Sequence, residues 1–192
     1  ITAKLIADMV AVAGADRFMT VDLHAGQIQG FFDIPVDELS ALPLLSRYFI
    51  RKQIPDLVVV AADLGFAKKA RNIAEMLRVP VAFVEKRRHE TASQGQTVTE
   101  SLTVIGEVAG KNVLIVDDEV LTGGTMVDDA RILREAGARK LYACFVHPTF
   151  SDGVIECLGR ADFEEIVCTN TQPIPRDKML PNMKIIHLGP WL

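Results

Sequence analysis

Apolar positions along the chain fall into two alternating kinds of run. Leu5, Ile6, Met9, Val10 and Val12 recur at helical spacing, and Gly14 follows as a stop signal. Residues 42–49 and 67–77 repeat the helical pattern, the latter with Ala70, Ile73, Ala74 and Leu77 as its buried stripe. Between them lie short runs with no helical period: 17–22, 56–61, 81–84, 113–116, 141–146, 165–169 and 184–187. Several are apolar throughout, as expected of strands covered on both faces. Residues 102–105 add a candidate antiparallel strand, and residues 24–35, rich in glycine and carrying Phe31-Phe32, read as loop. A helix is expected from 126 to about 136 and a short one over 154–158. Strands alternating with helices predict an α/β fold with a mostly parallel sheet and right-handed crossovers.

Composition narrows the class. Apolar residues make up 49% of 192, which excludes a disordered chain. A net charge of −4 leaves no nucleic-acid footprint, and Lys86-Arg87-Arg88 is too short to make one. No apolar run is long enough for a transmembrane helix, and no signal-peptide pattern is present. Cys144, Cys157 and Cys168 lack metal-ligand spacing and are expected as free thiols in a reducing, cytoplasmic setting. Ile1 enters a helical pattern directly and Trp191-Leu192 follows a strand, so the sequence is expected to be an interior portion of a longer protein.

The chemistry concentrates in Asp117-Asp118-Glu119-Val120-Leu121-Thr122-Gly123-Gly124-Thr125. A strand delivers two carboxylates, and a glycine-threonine loop then opens a helix. Free backbone N–H groups and the positive end of the helix dipole suit a phosphate there. Glycine permits close approach, threonine hydroxyls donate, and carboxylates accept sugar hydroxyls or help hold a cation. The pattern points to a phosphorylated sugar, against the alternative of an ordinary capping turn. Ligands of such sheets sit beyond the carboxyl ends of strands. His24, Asp63, Lys86, Arg88 and the Asp117-Asp118 pair all fall just past expected strands. For each a plainer role stands beside it. His24 would be a loop histidine, Asp63 a helix cap for 67–77, and Lys86 and Arg88 a solvated charge run.

The loop at 117–125 resembles the phosphoribosyl diphosphate loop of the type I phosphoribosyltransferase fold. Asp22-Leu23-His24-Ala25-Gly26-Gln27-Ile28-Gln29-Gly30-Phe31-Phe32-Asp33-Ile34-Pro35 is narrower and resembles the ribose-phosphate pyrophosphokinase family, as do Glu85–Arg88 and Thr169–Thr171. The resemblance implies two tandem copies of the fold, with residues 1–40 the end of the first and 41–192 most of the second. It implies ATP and ribose 5-phosphate as substrates, Mg2+ as cofactor and a homo-oligomer, hexameric or dimer-based. By resemblance His24 and Asp63 are metal ligands and Lys86 and Arg88 catalytic. Arg88, Asp117, Asp118, Leu121, Thr122, Gly123, Gly124 and Thr125 contact substrate. Residues 89–98 become a mobile loop, and 27–35 lies near subunit contacts. Two positions depart from the family pattern: Ala62 where Pro usually precedes the aspartate, and Leu121 where many members carry Asp. A non-catalytic regulatory relative, or a phosphoribosyltransferase, are the alternatives. His147 is expected to be structural.

Overall fold

The computed structural model describes residues 1–63, 65–89 and 99–191, excluding the side chains of 86–89 and 99–102. It divides into two compact units, Ile1–Leu42 and Pro43–Leu192. The first unit holds helix α1 (Thr2–Val12), strand β1 (Phe18–Val21), a short 3-10 turn over Gly26–Phe31 and strand β2 (Val36–Leu39). β1 and β2 pair in parallel, Phe18 opposite Val36 and Val21 opposite Leu39. Two features depart from expectation. The loop at 24–35 contains helical turn, and β2 was not foreseen, because Val36-Asp37-Glu38-Leu39 is short and half acidic. Backbone pairing and the Arg17–Asp37 ion pair hold it instead. Asp22 is buried with a left-handed φ of 43° and accepts from the Ser40 hydroxyl at 2.8 Å and the Ala41 N–H at 2.6 Å. It fastens the end of β1 to the chain leaving β2. Phe32 stacks on Phe18 at 4.4 Å, whereas Phe31 is exposed, so the aromatic pair is split between packing and surface.

The second unit is a seven-stranded sheet flanked by helices α2 (Leu42–Lys52), α3 (Ala67–Leu77), α4 (Gly124–Glu135) and α5 (Val154–Gly159). Its strands are β3 (Leu57–Ala61), β4 (Val81–His89), β5 (Thr99–Ile105), β6 (Asn112–Val120), β7 (Lys140–Pro148), β8 (Glu165–Thr169) and β9 (Met183–Ile186). The spatial order is β5-β4-β3-β6-β7-β8-β9, and only β5 runs antiparallel to its neighbour. The mostly parallel α/β sheet expected from the sequence is therefore present.

Alternation along each strand assigns the two faces. Val58, Val60, Val113, Ile115, Leu141, Ala143 and Phe145 share one core with Met126, Ala130 and Leu133 of α4 and Val154 and Leu158 of α5. On the other face Arg71 of α3 lies over Phe83, and Lys52 of α2 lies over Tyr142. Ala70, Ile73 and Ala74 are buried as foreseen, while Leu77 is half-buried at the end of the stripe.

Strands β4, β5 and β6 run longer than their apolar stretches, and so does β7, which reaches Pro148. β4 continues through the charged residues to His89, β5 begins at Thr99, and β6 continues to Val120. Hydrogen bonding to a neighbour, which apolarity does not report, sustains these extensions: 83–89 pairs with 99–105, and Glu119 stands opposite His147. Lys86, Arg88, Asp117 and Asp118 thus sit on strand extensions rather than past strand ends. His89 closes β4, and the rest of the polar segment expected as a mobile loop, 90–98, lies outside the described residues.

Candidate active site

From β3 the chain moves through α3 to β4 on one side. From β6 it moves through α4 to β7 on the other. β3 and β6 are neighbours, so the order reverses between them, and a crevice opens at their carboxyl ends. Registers show what reaches it. Ala61 stands opposite both Phe83 and Val116. Asp63 therefore leaves β3 at the rim, and Asp117 and Asp118 follow one and two residues past the same level on β6. The Lys86 and Arg88 backbone lies on the part of β4 that extends beyond β3, about 10–17 Å further along at strand rise. The rim collects these five residues and the 122–125 loop. His24 is exposed and belongs to the first unit.

Asp63 is exposed, and its Oδ1 accepts the Phe66 N–H at 2.8 Å, so the carboxylate folds the turn that feeds α3. A Cβ on Gly65 would lie 3.0 Å from that Oδ1, which explains glycine at this place. The capping role expected for Asp63 is thus met one step away: it serves Phe66, the residue before the helix, rather than α3 itself. Ala62 donates its N–H to the Val116 carbonyl at 3.3 Å, a bond that a proline could not make. This departure from the family pattern adds a tie between β3 and β6.

Asp118 is buried, and its N–H donates to Asp117 Oδ1 at 2.9 Å. Asp117 is half-buried. Burial first, and then the negative charges of Asp118 and Asp63, push its carboxyl up to about 7, against a relieving hydrogen bond from the Asp118 backbone. Two carboxylates from two strands therefore share one electrostatic neighbourhood at the switch point.

The turn after β6 is narrower than it first reads. Residues 119 and 120 still belong to the strand, and the loop proper is Leu121 to Gly123. α4 opens at Gly124 rather than at 126. Leu121, Thr122 and Thr125 are exposed. Thr122 Oγ1 lies 3.4 Å from the Gly124 N–H, and the first intrahelical bond runs from Val127 to the Gly123 carbonyl at 3.1 Å. The N–H groups of 123–126 precede that bond and project at the helix's positive end, the arrangement an anion needs.

Gly123 is required twice over. Its φ is +78°, and a Cβ would meet Leu158 at 3.1 Å. Gly123→Ala should destabilise the unit by about 1–3 kcal/mol from strain and overpacking. A fall in thermal midpoint would show this, and an unchanged midpoint would mean that α5 moves aside freely.

Among the described residues no three His, Cys, Asp or Glu side chains converge as a ready metal cage. The donor set suits a hard cation held by one or two carboxylates and substrate phosphates, as Mg2+ is. His147 bonds through Nδ1 to the Thr171 hydroxyl at 3.0 Å, and Thr169 donates to the Val146 carbonyl at 2.7 Å. Asn170 accepts the Leu188 N–H at 2.8 Å. The 169–171 turn and His147 are thus tied into scaffold. Thr149 and Ser151 carried no expectation, although both bond to the strand end that leads into the loop. Two hydroxyl residues flanking Phe150 directly after a strand that ends in Pro148 were the available signal.

The family described as "Phosphoribosyl synthetase-associated domain" matches residues 94–188. The ribose-phosphate pyrophosphokinase of Nostoc sp. is 46% identical over 190 residues, covering 98% of this chain and 56% of the relative. That of Bacillus subtilis is 40% identical over 192 residues, covering 100% of this chain and 59% of the relative. The crystal structure of phosphoribosylpyrophosphate synthetase from Mycobacterium smegmatis superposes with a TM-score of 0.87 at 38% identity, over 99% of this chain and 60% of that one. The chain thus spans little more than half the length of the relatives it matches. With relatives 40–46% identical along 98–100% of its length and a superposing synthetase structure, this chain has the type I phosphoribosyltransferase fold and belongs to the ribose-phosphate pyrophosphokinase family.

Proposed function

We propose that this chain carries the ribose 5-phosphate site of a ribose-phosphate diphosphokinase. The complete protein would transfer the β,γ-diphosphoryl group of Mg-ATP to the C1 hydroxyl of ribose 5-phosphate, giving phosphoribosyl diphosphate and AMP for nucleotide biosynthesis. The observation that carries the reading is the switch-point rim, where paired carboxylates and a helix-opening Gly-Thr loop stand side by side. The 122–125 loop would hold the 5-phosphate through backbone N–H groups and threonine hydroxyls. Asp117, with Asp118 beside it, would accept the ribose 2′- and 3′-hydroxyls. Lys86 and Arg88 would face charge developing on the transferred phosphoryl oxygens, where cations placed in advance stabilise the transition state. Arg offers a planar fork to phosphate, Lys a compact charge. Asp63 would help hold Mg2+, which when bound neutralises phosphate charge, and a cation there fits the mutual repulsion of Asp63 and Asp117; within the first unit, His24 would be a metal ligand in its own right.

On this reading residues 1–40 are the end of a first copy of the fold and 41–192 most of a second. The complete protein is a cytoplasmic homo-oligomer. Supporting the compartment, all three cysteines are free, and among the described residues no helix is long and apolar enough to cross a membrane. Ribose-5-phosphate-dependent release of AMP from Mg-ATP by the complete protein is the expected result, and its absence would overturn the assignment. One observation favours a second reading, a non-catalytic regulatory relative. Leu121 stands exposed at the loop with no group that can accept a sugar hydroxyl. Binding of ribose 5-phosphate without turnover would select that reading.

A further inference from the structure

The loop that opens α4 is held from beneath by the segment leaving β7. Thr149 donates its hydroxyl to Glu119 Oε1 at 2.6 Å, at the end of β6. Two residues on, Ser151 places two donors on one acceptor: its N–H reaches the Leu121 carbonyl at 2.9 Å and its hydroxyl reaches the same oxygen at 3.0 Å. A carbonyl oxygen has two lone pairs, so the pair of bonds saturates it and fixes the peptide plane that leads into Thr122. Just beyond, Gly123 packs on Leu158 of α5, so the loop is held by hydrogen bonds at its entry and by apolar contact at its turn. The strap is itself anchored. Lys178 donates to the Phe150 carbonyl at 3.1 Å and pairs with Asp152 Oδ1 at 3.2 Å, on either side of Ser151.

None of these residues reaches the phosphate-sized loop as a ligand contact would. The two Ser151 bonds end on the backbone that leads into it. Anion binding by backbone N–H groups depends on their being aimed in advance, because ordering them at the moment of binding costs affinity.

We propose that Ser151 is a positioning residue for the loop at 122–125, with Lys178 holding the strap that carries it. The inference rests on the assignment of that loop to the 5-phosphate of ribose 5-phosphate. Because the backbone N–H survives substitution, Ser151→Ala removes one bond of two. The dissociation constant of the complete protein for ribose 5-phosphate should rise about 5-fold, the worth of roughly one hydrogen bond. Affinity for Mg-ATP should stay unchanged. Ser151→Thr, which keeps the hydroxyl, should restore binding. Lys178→Met should weaken ribose 5-phosphate binding in the same direction without touching the loop.

A second readout needs no ligand. The Val127 N–H bonds to the Gly123 carbonyl, so its hydrogen exchange reports how firmly the turn is held and should quicken in Ser151→Ala. Unchanged exchange together with unchanged affinity would overturn the inference and leave the ribose 5-phosphate assignment standing. If the wild type takes no ribose 5-phosphate, that assignment falls, and Val127 exchange alone decides whether Ser151 holds the loop. Equal loss of Mg-ATP affinity in Ser151→Ala would make it a general scaffold residue and would also reject the proposal.

Discussion

Lys86→Ala in the complete protein should lower ribose-5-phosphate-dependent AMP release by about 10²–10³-fold, the usual cost of removing one fixed stabiliser of transition-state charge. The thermal midpoint should move by less than about 2 °C, because the backbone at 86 lies outside the ladder that joins β4 to the central sheet. The backbone supports the separation. β4 pairs with β3 only through Val81, Ala82 and Phe83, and Lys86 lies beyond that ladder, opposite Leu102 of β5. A change there disturbs one hairpin extension rather than the central sheet. Steady-state turnover and a melting curve on the same preparation separate the cases. Full activity would reduce the Glu85–Arg88 run to solvated charge. Loss of activity together with several degrees of stability would make Lys86 part of the scaffold.

What the sequence revealed and what it hid follow one physical line. Burial on both faces leaves a signature in composition, so the Val-rich strands and the Ala70, Ile73, Ala74 stripe were readable. Backbone pairing leaves none. β2, with two acids in four residues, and the strand extensions at 85–89 and 117–120 exist because a neighbouring strand accepts and donates there. The site was legible as a set of residue types after strands, and the switch point between β3 and β6 supplied the reason they gather. The supports were hidden: Thr149 and Ser151 act through hydroxyls on the Glu119 carboxylate and the Leu121 carbonyl, and no local pattern ties position 151 to position 121. Ala62 shows the converse. It reads as a weakened site in sequence, yet its N–H bond to Val116 joins the two strands that frame the crevice.

Asp117 is where function and stability should pull in opposite directions. Its carboxyl is raised from an ordinary 3.8 to about 7 in the folded chain, by burial first and then by the charges of Asp118 and Asp63. A raised carboxyl means that the folded state prefers the protonated form. The preference supports folding fully below about pH 4, is withdrawn as pH climbs from 4 to about 7, and is absent above that. Asp117→Asn mimics the neutral group and keeps an Oδ1 to accept the Asp118 N–H. Without divalent cation the variant should therefore match wild type near pH 4 and exceed it by about 1–2 kcal/mol at pH 8, the shift discounted for partial exposure. Its thermal midpoint at pH 8 should be higher by roughly 2–6 °C. The same variant should lose about 10²-fold or more in kcat/KM for ribose 5-phosphate, because an amide is a weaker acceptor than a carboxylate for the sugar hydroxyls. Melting curves from pH 4 to pH 8 beside kinetics at pH 8 test both halves. A variant less stable than wild type at every pH would show that the Asp117 charge is a structural asset, and would remove the case for a site strained toward its ligand. A variant more stable and equally active would leave Asp118 as the acceptor of the ribose hydroxyls. Gain in stability with loss of turnover is the pattern of a charge kept in place for a cation and a sugar rather than for the fold.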